Sequence, residues 1–247
     1  MNFGNEARFY VFGGWRKAYH SNIETIACSR PMLESTVYRR VLKNPRVTVI
    51  AETEVVGLCI DDSGTKATGV QLRARNQHNE AERYSSLDAD LIVDTSGRDS
   101  HAPEWLKDIN FPVLEELIVN GLAGYASRMY ELPADFKGGW KTIFVQPSAP
   151  GGKRGCVIVP MENGNWQVLL LGAGGEYPPT DEEGLLEYLR SLPTSEAYDA
   201  VKDARPLSPI YGYRRTENRI RYYDKLSRYL EHFLVMGDSV CSFNPMY

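Results

Sequence analysis

Between Ser29 and Arg98 the hydrophobic period changes repeatedly, and the order of those changes restricts the fold more than any other feature of the chain. Ser29 can cap a helix, Pro31 suits its first turn, and Leu33, Val37, Arg40 and Val41 recur at helical spacing up to Asn44-Pro45. Val47-Thr48-Val49-Ile50 then reads as a buried strand, with Glu54 to Ile60 a second strand close behind it. Asp61-Asp62-Ser63-Gly64 is a turn signal and Ala67 to Arg73 resumes strand-like alternation, so a small antiparallel meander is expected. Residues 75–86 are polar and read as a loop or exposed hairpin. Ala89 to Asp94 is a short apolar run that feeds Thr95-Ser96-Gly97-Arg98. Helix, strand, meander and returning strand in that order call for an α/β layer with an excursion, not an all-helical or all-β protein.

The flanking segments have a different texture. Phe9 to Phe12 and Ile23 to Ala27 cluster or alternate as strands do. From about residue 112 to 230, runs such as Trp140 to Val145, Cys156 to Pro160 and Asn165 to Leu171 are separated by Gly/Pro turns, the pattern of an antiparallel sheet. Among them an acidic helix begins near Thr180; Asp181-Glu182-Glu183 suits the positive end of its dipole and Leu185, Leu186, Tyr188 and Leu189 form its buried side. Arg214, Arg215, Arg219, Arg221, Lys225 and Arg228 make a basic stretch that reads as a solvated helix face, and Phe233 to Gly237 returns to a buried strand. Without internal repeats or low-complexity tracts, the expectation is two domains woven through one another.

Composition removes several classes. With 247 residues, 43% hydrophobic and 24% charged, the chain is large enough for one big or two modest domains. A net charge of −4 gives no basic field for nucleic acid. The apolar runs, such as Val157 to Val159 and Val168 to Leu171, fall far short of the roughly 20 residues that span a bilayer. Met1 to Arg16 carries Glu6 and no sustained apolar core, so neither leader nor transit peptide is expected and the location expected is cytoplasmic. Cys28, Cys59, Cys156 and Cys241 lack the spacing of a zinc site and read as buried free thiols, so no metal is expected. No G-x-S-x-G elbow supports a serine hydrolase.

Three segments carry chemistry. Leu234 to Pro245 sets Asp238 just after a buried strand and Gly237, at the carboxyl end where α/β folds bind ligands and a carboxylate can accept from a ribose hydroxyl. Gly237-Asp238 with Pro245 seven residues on resembles the second FAD fingerprint of the aromatic-hydroxylase and squalene-epoxidase superfamily of FAD-dependent monooxygenases. The resemblance implies that Asp238 holds the ribityl or ribose region and that Pro245 lies beside the isoalloxazine. Ala89 to Ser100 is similar to the same family's Asp-Gly-x-x-Ser motif, with Gly97 and Ser100 in place; Ser96 stands where the family has Asp, and Asp94 is two residues early. A strand-to-loop turn that uses Gly97 for its backbone freedom explains that segment equally. Cys28 to Glu34 is similar to the family's Ser-Arg-x-x-Leu segment, which makes Arg30 the candidate for a pyrophosphate or ribose oxygen, since a guanidinium matches those acceptors in charge and fork geometry. Val47 to Leu58 resembles the strand pair whose valine offers backbone atoms to adenine, here Val55; a plain edge strand is the alternative.

The fold implied is α/β (α+β): an incomplete FAD-binding Rossmann-like layer interleaved with an antiparallel-sheet substrate domain. Residues 1–28 are assigned to the substrate domain or a connection, 29–111 and 231–247 to the FAD-binding domain, and 112–230 to the substrate domain. No G-x-G-x-x-G follows an opening strand, and Gly121-Leu-Ala-Gly124 lacks both spacing and context. The resemblance therefore implies an internal piece of the family's chain, one that without the first βαβ unit binds FAD poorly or not at all. It also implies NAD(P)H as co-substrate, O2, and oxygen transfer to a small organic substrate, with the cofactor doing the chemistry. No catalytic acid or base is assigned; His20, His101, Tyr211 and Tyr213 are packed or surface residues as readily as pocket-lining ones. Flavin-dependent halogenation or prenyl reduction on the same scaffold is the related alternative, although the halogenases' Trp-x-Trp-x-Ile-Pro motif is absent and Trp166 stands alone. Pro206 to Tyr213 is similar to bacterial members grouped with polyether epoxidases. A non-enzymatic module for an apolar ligand, using aromatic strands such as Phe9 to Phe12, is the alternative from another class.

Overall fold

A computed structural model describes residues 1–76, 83–148 and 150–244. Its two units are each discontinuous in sequence: Met1–Lys43 with Asn120–Thr216, and Asn44–Val119 with Glu217–Tyr247.

The first unit is built on a seven-stranded sheet in the order Tyr211–Tyr213, Gly124–Glu131, Asn165–Gly172, Arg154–Met161, Thr142–Val145, Ala7–Val11 and Gly14–Trp15. All neighbours are antiparallel except Ala7–Val11 and Thr142–Val145, whose parallel register pairs Phe9 with Phe144. Strand alternation sends Ile143, Val145, Cys156, Ile158, Val168 and Leu170 to one face, where they are buried. Helices Glu182–Arg190 and Glu196–Val201 close that face with Leu185, Tyr188, Leu189, Ala197 and Val201. Asp181 caps the first of these by accepting from the Gly184 amide at 2.8 Å, as its position before an acidic first turn leads one to expect, while Leu186 is only partly buried. At one end of the core Trp140 and Trp166 stack at 5.5 Å, and Phe136 meets both edge-on at 4.7 Å. Burial raises the Cys156 thiol and the Tyr188 phenol well above their ordinary pKa values; the Tyr188 hydroxyl donates to the Leu171 carbonyl. Cys28, Cys59 and Cys241 are only half-buried, so Cys156 alone among the free thiols sits fully in a core.

The helix expected after Ser29 is Arg30–Val41, and Ser29 does cap it, accepting from the Met32 amide at 3.2 Å. The cap is itself tethered. Ser29 donates its amide and hydroxyl to the Glu162 carboxylate at 2.9 and 2.5 Å, which ties the helix start to the sheet unit although the sequence opens the cofactor-binding stretch at this serine. Leu33, Val37 and Val41, the apolar stripe, are 56, 54 and 44% exposed. Ile23 to Ala27 is not a strand. It makes one isolated bridge, Asn2 with Glu24, and leaves Ile26 94% exposed, because a strand exists only where a neighbour offers a ladder.

The second unit begins with the expected antiparallel pair, Thr53–Ile60 and Ala67–Ala74, and Tyr84–Asp88, begun inside the stretch read as a polar loop or exposed hairpin, adds a third antiparallel strand; residues 77–82 of that stretch lie outside the described residues. Its first turn is organised by Asp61, which accepts from the Thr65 and Lys66 amides at 3.0 Å and from the Ser63 hydroxyl at 2.5 Å, an arrangement that lowers the Asp61 pKa. A two-stranded parallel pair joins Ile92–Asp94 to Phe233–Val235, and a three-stranded sheet orders Cys241–Ser242, Asn218–Arg221 and Glu116–Val119. Leu58, Ala67, Ala102, Leu106, Phe111, Leu230 and Phe233 form the core. Two expectations fail here. Val47 to Ile50 pairs with no described strand and is exposed, so the run is apolar without being a buried strand. The basic stretch after Tyr213 is no solvated helix: Asn218–Arg221 is a strand, and Arg221 is only 5% exposed.

Burial and the tether each set an expected outcome. Leu185→Ala, at a fully buried position, costs about 2–5 kcal/mol in urea unfolding, whereas Leu33→Ala costs under about 0.5 kcal/mol. Glu162 is held below its ordinary pKa first by the Ser29 hydroxyl and then by its amide, so the tether contributes fully above the ordinary glutamate value and is lost as pH falls through the lowered range. Amide exchange at Ser29 to Leu33, corrected for intrinsic rates, therefore accelerates on acidification, and Glu162→Gln gives the same loss of protection at neutral pH.

Candidate functional site

The second unit's parallel pair sets Asp94 beside Val235, so the chain leaves both strands side by side at their carboxyl ends. The Met236 amide donates to the Asp94 carbonyl at 2.9 Å and extends the pairing by one bond. Each stretch then turns through a glycine of positive φ, Gly97 at +87° and Gly237 at +63°. A Cβ at either glycine meets nothing within 4 Å, so the backbone conformation requires glycine and the space beside it is open.

Asp94 holds the first turn together. Its Oδ1 accepts from the Ser96 amide at 2.8 Å and the Ser96 hydroxyl at 2.6 Å, and its Oδ2 accepts from the Ser100 hydroxyl. Ser100 Oγ in turn accepts from the Ala102 amide at 3.1 Å, where helix Ala102–Asp108 begins. Position 96, where the family resembled has Asp, carries Ser, and the carboxylate two residues upstream is committed inside the turn.

The two turns are locked to each other. The Gly97 amide donates to Ser239 Oγ at 2.8 Å, and Ser239 is fully buried. Arg221 reaches across from its strand, giving Nη1 to the Ser239 carbonyl at 2.8 Å, Nη2 to the Arg98 carbonyl at 3.1 Å and Nε to Glu116 Oε2 at 3.2 Å. Arg98 donates to both the carbonyl and carboxylate of Glu217 at 2.8 and 3.0 Å. A buried guanidinium without partners costs several kcal/mol, so these three bonds, one from each nitrogen, are what permit Arg221 to sit there.

Beside the first turn lies a cavity of about 390 Å³ whose walls include Val55, Val93, Thr95, Ser96, Asp99 and His101, within the size range of small-molecule sites. Val55 belongs to an edge strand, and the pairing with the next strand skips from Val55–Leu72 to Gly57–Gln71, a bulge of the kind that re-aims residues next to sites. Glu54, also at the cavity, is held below its ordinary pKa first by its 2.6 Å hydrogen bond from Arg73.

Of the residues singled out in the sequence, Val55 lines this cavity, Gly97 makes its neighbouring turn, and Asp238 lies in a short 3-10 turn, Gly237–Ser239. Asp238 is exposed and its carboxylate has no hydrogen bond or ion pair among the described residues. Arg30 belongs to the first unit, is 86% exposed in its side chain and pairs with Glu34 at 2.6 Å one helical turn on. Pro245 lies outside the described residues. His101 lines the cavity; His20, Tyr211 and Tyr213 are exposed residues of the first unit. Asp94, Ser239 and Arg221 were not singled out for these roles, and only Asp94, at the end of a strand beside small residues, carried a local signal.

No family model matches the chain. It is 26% identical over 219 residues to Protein Rv3254 of Mycobacterium tuberculosis, a match covering 89% of this chain and 46% of that protein. The chain thus spans about half the length of this curated relative. Among solved structures, the flavin-dependent brominase Bmp2 matches 98% of this chain and 56% of its own at a TM-score of 0.71 and 12% identity. PqsL of Pseudomonas aeruginosa, described as a probable FAD-dependent monooxygenase, matches 98% and 62% at a TM-score of 0.65 and 16% identity. The fold is therefore the mixed α/β fold found in FAD-dependent oxidoreductases.

The lock can be tested at one atom. Ser239→Ala takes the acceptor from the half-buried Gly97 amide and costs about 0.5–1.5 kcal/mol in urea unfolding. A loss below about 0.3 kcal/mol would mean that the two turns do not depend on this bond.

Proposed function

We propose that the chain is part of a flavin-dependent oxidoreductase whose second unit contributes to an FAD site, and that the activity is monooxygenation, a hydroxylation or epoxidation of a small organic substrate with NAD(P)H and O2. One observation carries the reading: two positive-φ glycine turns leave the carboxyl ends of adjacent parallel strands, locked together beside a partly apolar cavity. That is where open α/β layers bind nucleotides.

The groups at hand fit such a cofactor. Asp238 is an uncommitted acceptor for ribose or ribityl hydroxyls, Gly97 and Gly237 keep side chains out of the approach, and the open edge of the Val55 strand offers backbone groups to an adenine ring. Arg30 is assigned to a pyrophosphate or ribose oxygen on the motif alone; its exposed pair with Glu34 is worth little. Pro245 is assigned to the isoalloxazine side on the motif alone. Asp94 has both oxygens engaged, so its role is to hold the turn in shape. FAD, when bound, supplies the electron transfer and oxygen chemistry; the protein's part is to bind, orient and shield.

Halogenation is the second reading, supported by the fold likeness to the brominase. The two differ in demand: the monooxygenase consumes NAD(P)H with substrate, while the halogenase works from reduced flavin and halide.

The test is an FAD titration followed by quenching of flavin fluorescence. Saturable quenching is expected with the wild-type protein, and Asp238→Ala raises the Kd roughly tenfold or more. Equal affinity of the two proteins removes Asp238 from the site, and no quenching by folded protein removes FAD binding from this chain.

A further inference from the structure

The cavity of about 390 Å³ beside the Gly97 turn has a chemistry that narrows what can enter it. Val55, Val70, Val93 and Trp105 give it apolar walls. Trp105 is half-buried on helix Ala102–Asp108 and packs against the core of the second unit, so its ring is a wall held by packing. Three of the lining residues, Glu54, Asp94 and Asp99, are acidic, His101 is the only basic one, and no Lys or Arg takes part. Such walls repel a phosphate and suit a flat apolar ring that carries N–H donors on its rim.

The acceptors are not equally available. Asp94 has Oδ1 occupied by Ser96 and Oδ2 by Ser100. Glu54 differs: Oε2 accepts from Arg73 Nη2 at 2.6 Å, and Oε1 accepts no hydrogen bond among the described residues. Register sets Glu54, Arg73 and Tyr84 in one row across three antiparallel strands, and the side chains of both neighbours hydrogen-bond Arg73. Arg73, held from both sides, fixes the Glu54 carboxylate in place and leaves one of its oxygens for a ligand. The next residue, Val55, begins the bulge on the open edge of the same strand.

We propose that Glu54 is the specificity-determining residue of this cavity, accepting an N–H from the exocyclic amine of a 6-aminopurine whose ring lies against Trp105. A 6-oxopurine presents a carbonyl at that place, and a carbonyl facing a fixed carboxylate leaves two acceptors without a donor between them. As the residue that reads the adenine of FAD, Glu54 rests on the flavin reading above; as the selector of a purine-nucleoside site, it stands on the second unit alone.

The probes are adenosine and inosine, titrated calorimetrically against the whole chain without added flavin. Adenosine binds at least roughly tenfold more tightly than inosine. Glu54→Gln brings the two affinities within about twofold, because its amide can turn either oxygen or nitrogen to the base. Loss of structure would lower both affinities and leave their ratio untouched, so the ratio isolates the contact. Equal affinities in the wild-type protein, a preference that survives Glu54→Gln, or absence of adenosine binding each overturns the proposal. FAD quenching measured on the same samples separates the two claims. Quenching without a preference for adenosine contradicts only the role of Glu54, and the preference without quenching contradicts only the flavin reading.

Discussion

A buried guanidinium and one serine hydroxyl decide where two remote stretches of chain meet. The parallel pair Ile92–Asp94 and Phe233–Val235 is only three residues long on each side, too little ladder to fix the geometry of the two turns beyond it. Ser239 Oγ on the Gly97 amide and Arg221 on the Ser239 and Arg98 carbonyls supply the constraint that the ladder lacks. Because Arg221 is buried, breaking any part of the set leaves a charge poorly satisfied in a low-dielectric place, so the contacts act together more than singly. Asp94 adds a second layer by closing its own turn through Ser96 and Ser100. The turns that carry Gly97 and Asp238 are therefore products of buried polar chemistry, and the exposed Asp238 carboxylate is left uncommitted.

Local signals were legible wherever one short stretch contained its own cause. Ser29 with Pro31 announced a helix and Ser29 caps it; Asp61 announced a turn and its carboxylate organises it; Asp181 announced the helix whose Leu185 and Leu189 enter the core. Strand signals were legible only where a partner exists. Val47 to Ile50 and Ile23 to Ala27 have the composition of strands, yet among the described residues the former has no ladder and the latter a single bridge, and β preference without a ladder decides nothing.

The site was half legible for the same reason. Glycines needed for positive φ show in a motif, since only the local backbone is at stake: Gly97 and Gly237 are such positions. Arg221 does not, because its meaning depends on Glu116 and on the Arg98 carbonyl, each more than a hundred residues away. Charge counted along the chain made residues 214–228 look like a solvated face, and pairing across the chain buries Arg221 instead. In the first unit the period-2 pattern was visible, but alternation cannot say which face helices cover. Register and packing distinguish the face of Ile143 and Leu170 from the face of Phe9 and Phe144.

The most direct measurement is amide hydrogen exchange of the protein with and without FAD, read at residues 94–100 and 236–242. Cofactor seated at the locked turns slows exchange in both segments together and also along the open edge at Val55. Protection confined to other regions, or in one turn without the other, would contradict the claim that these two turns form one cofactor-binding surface.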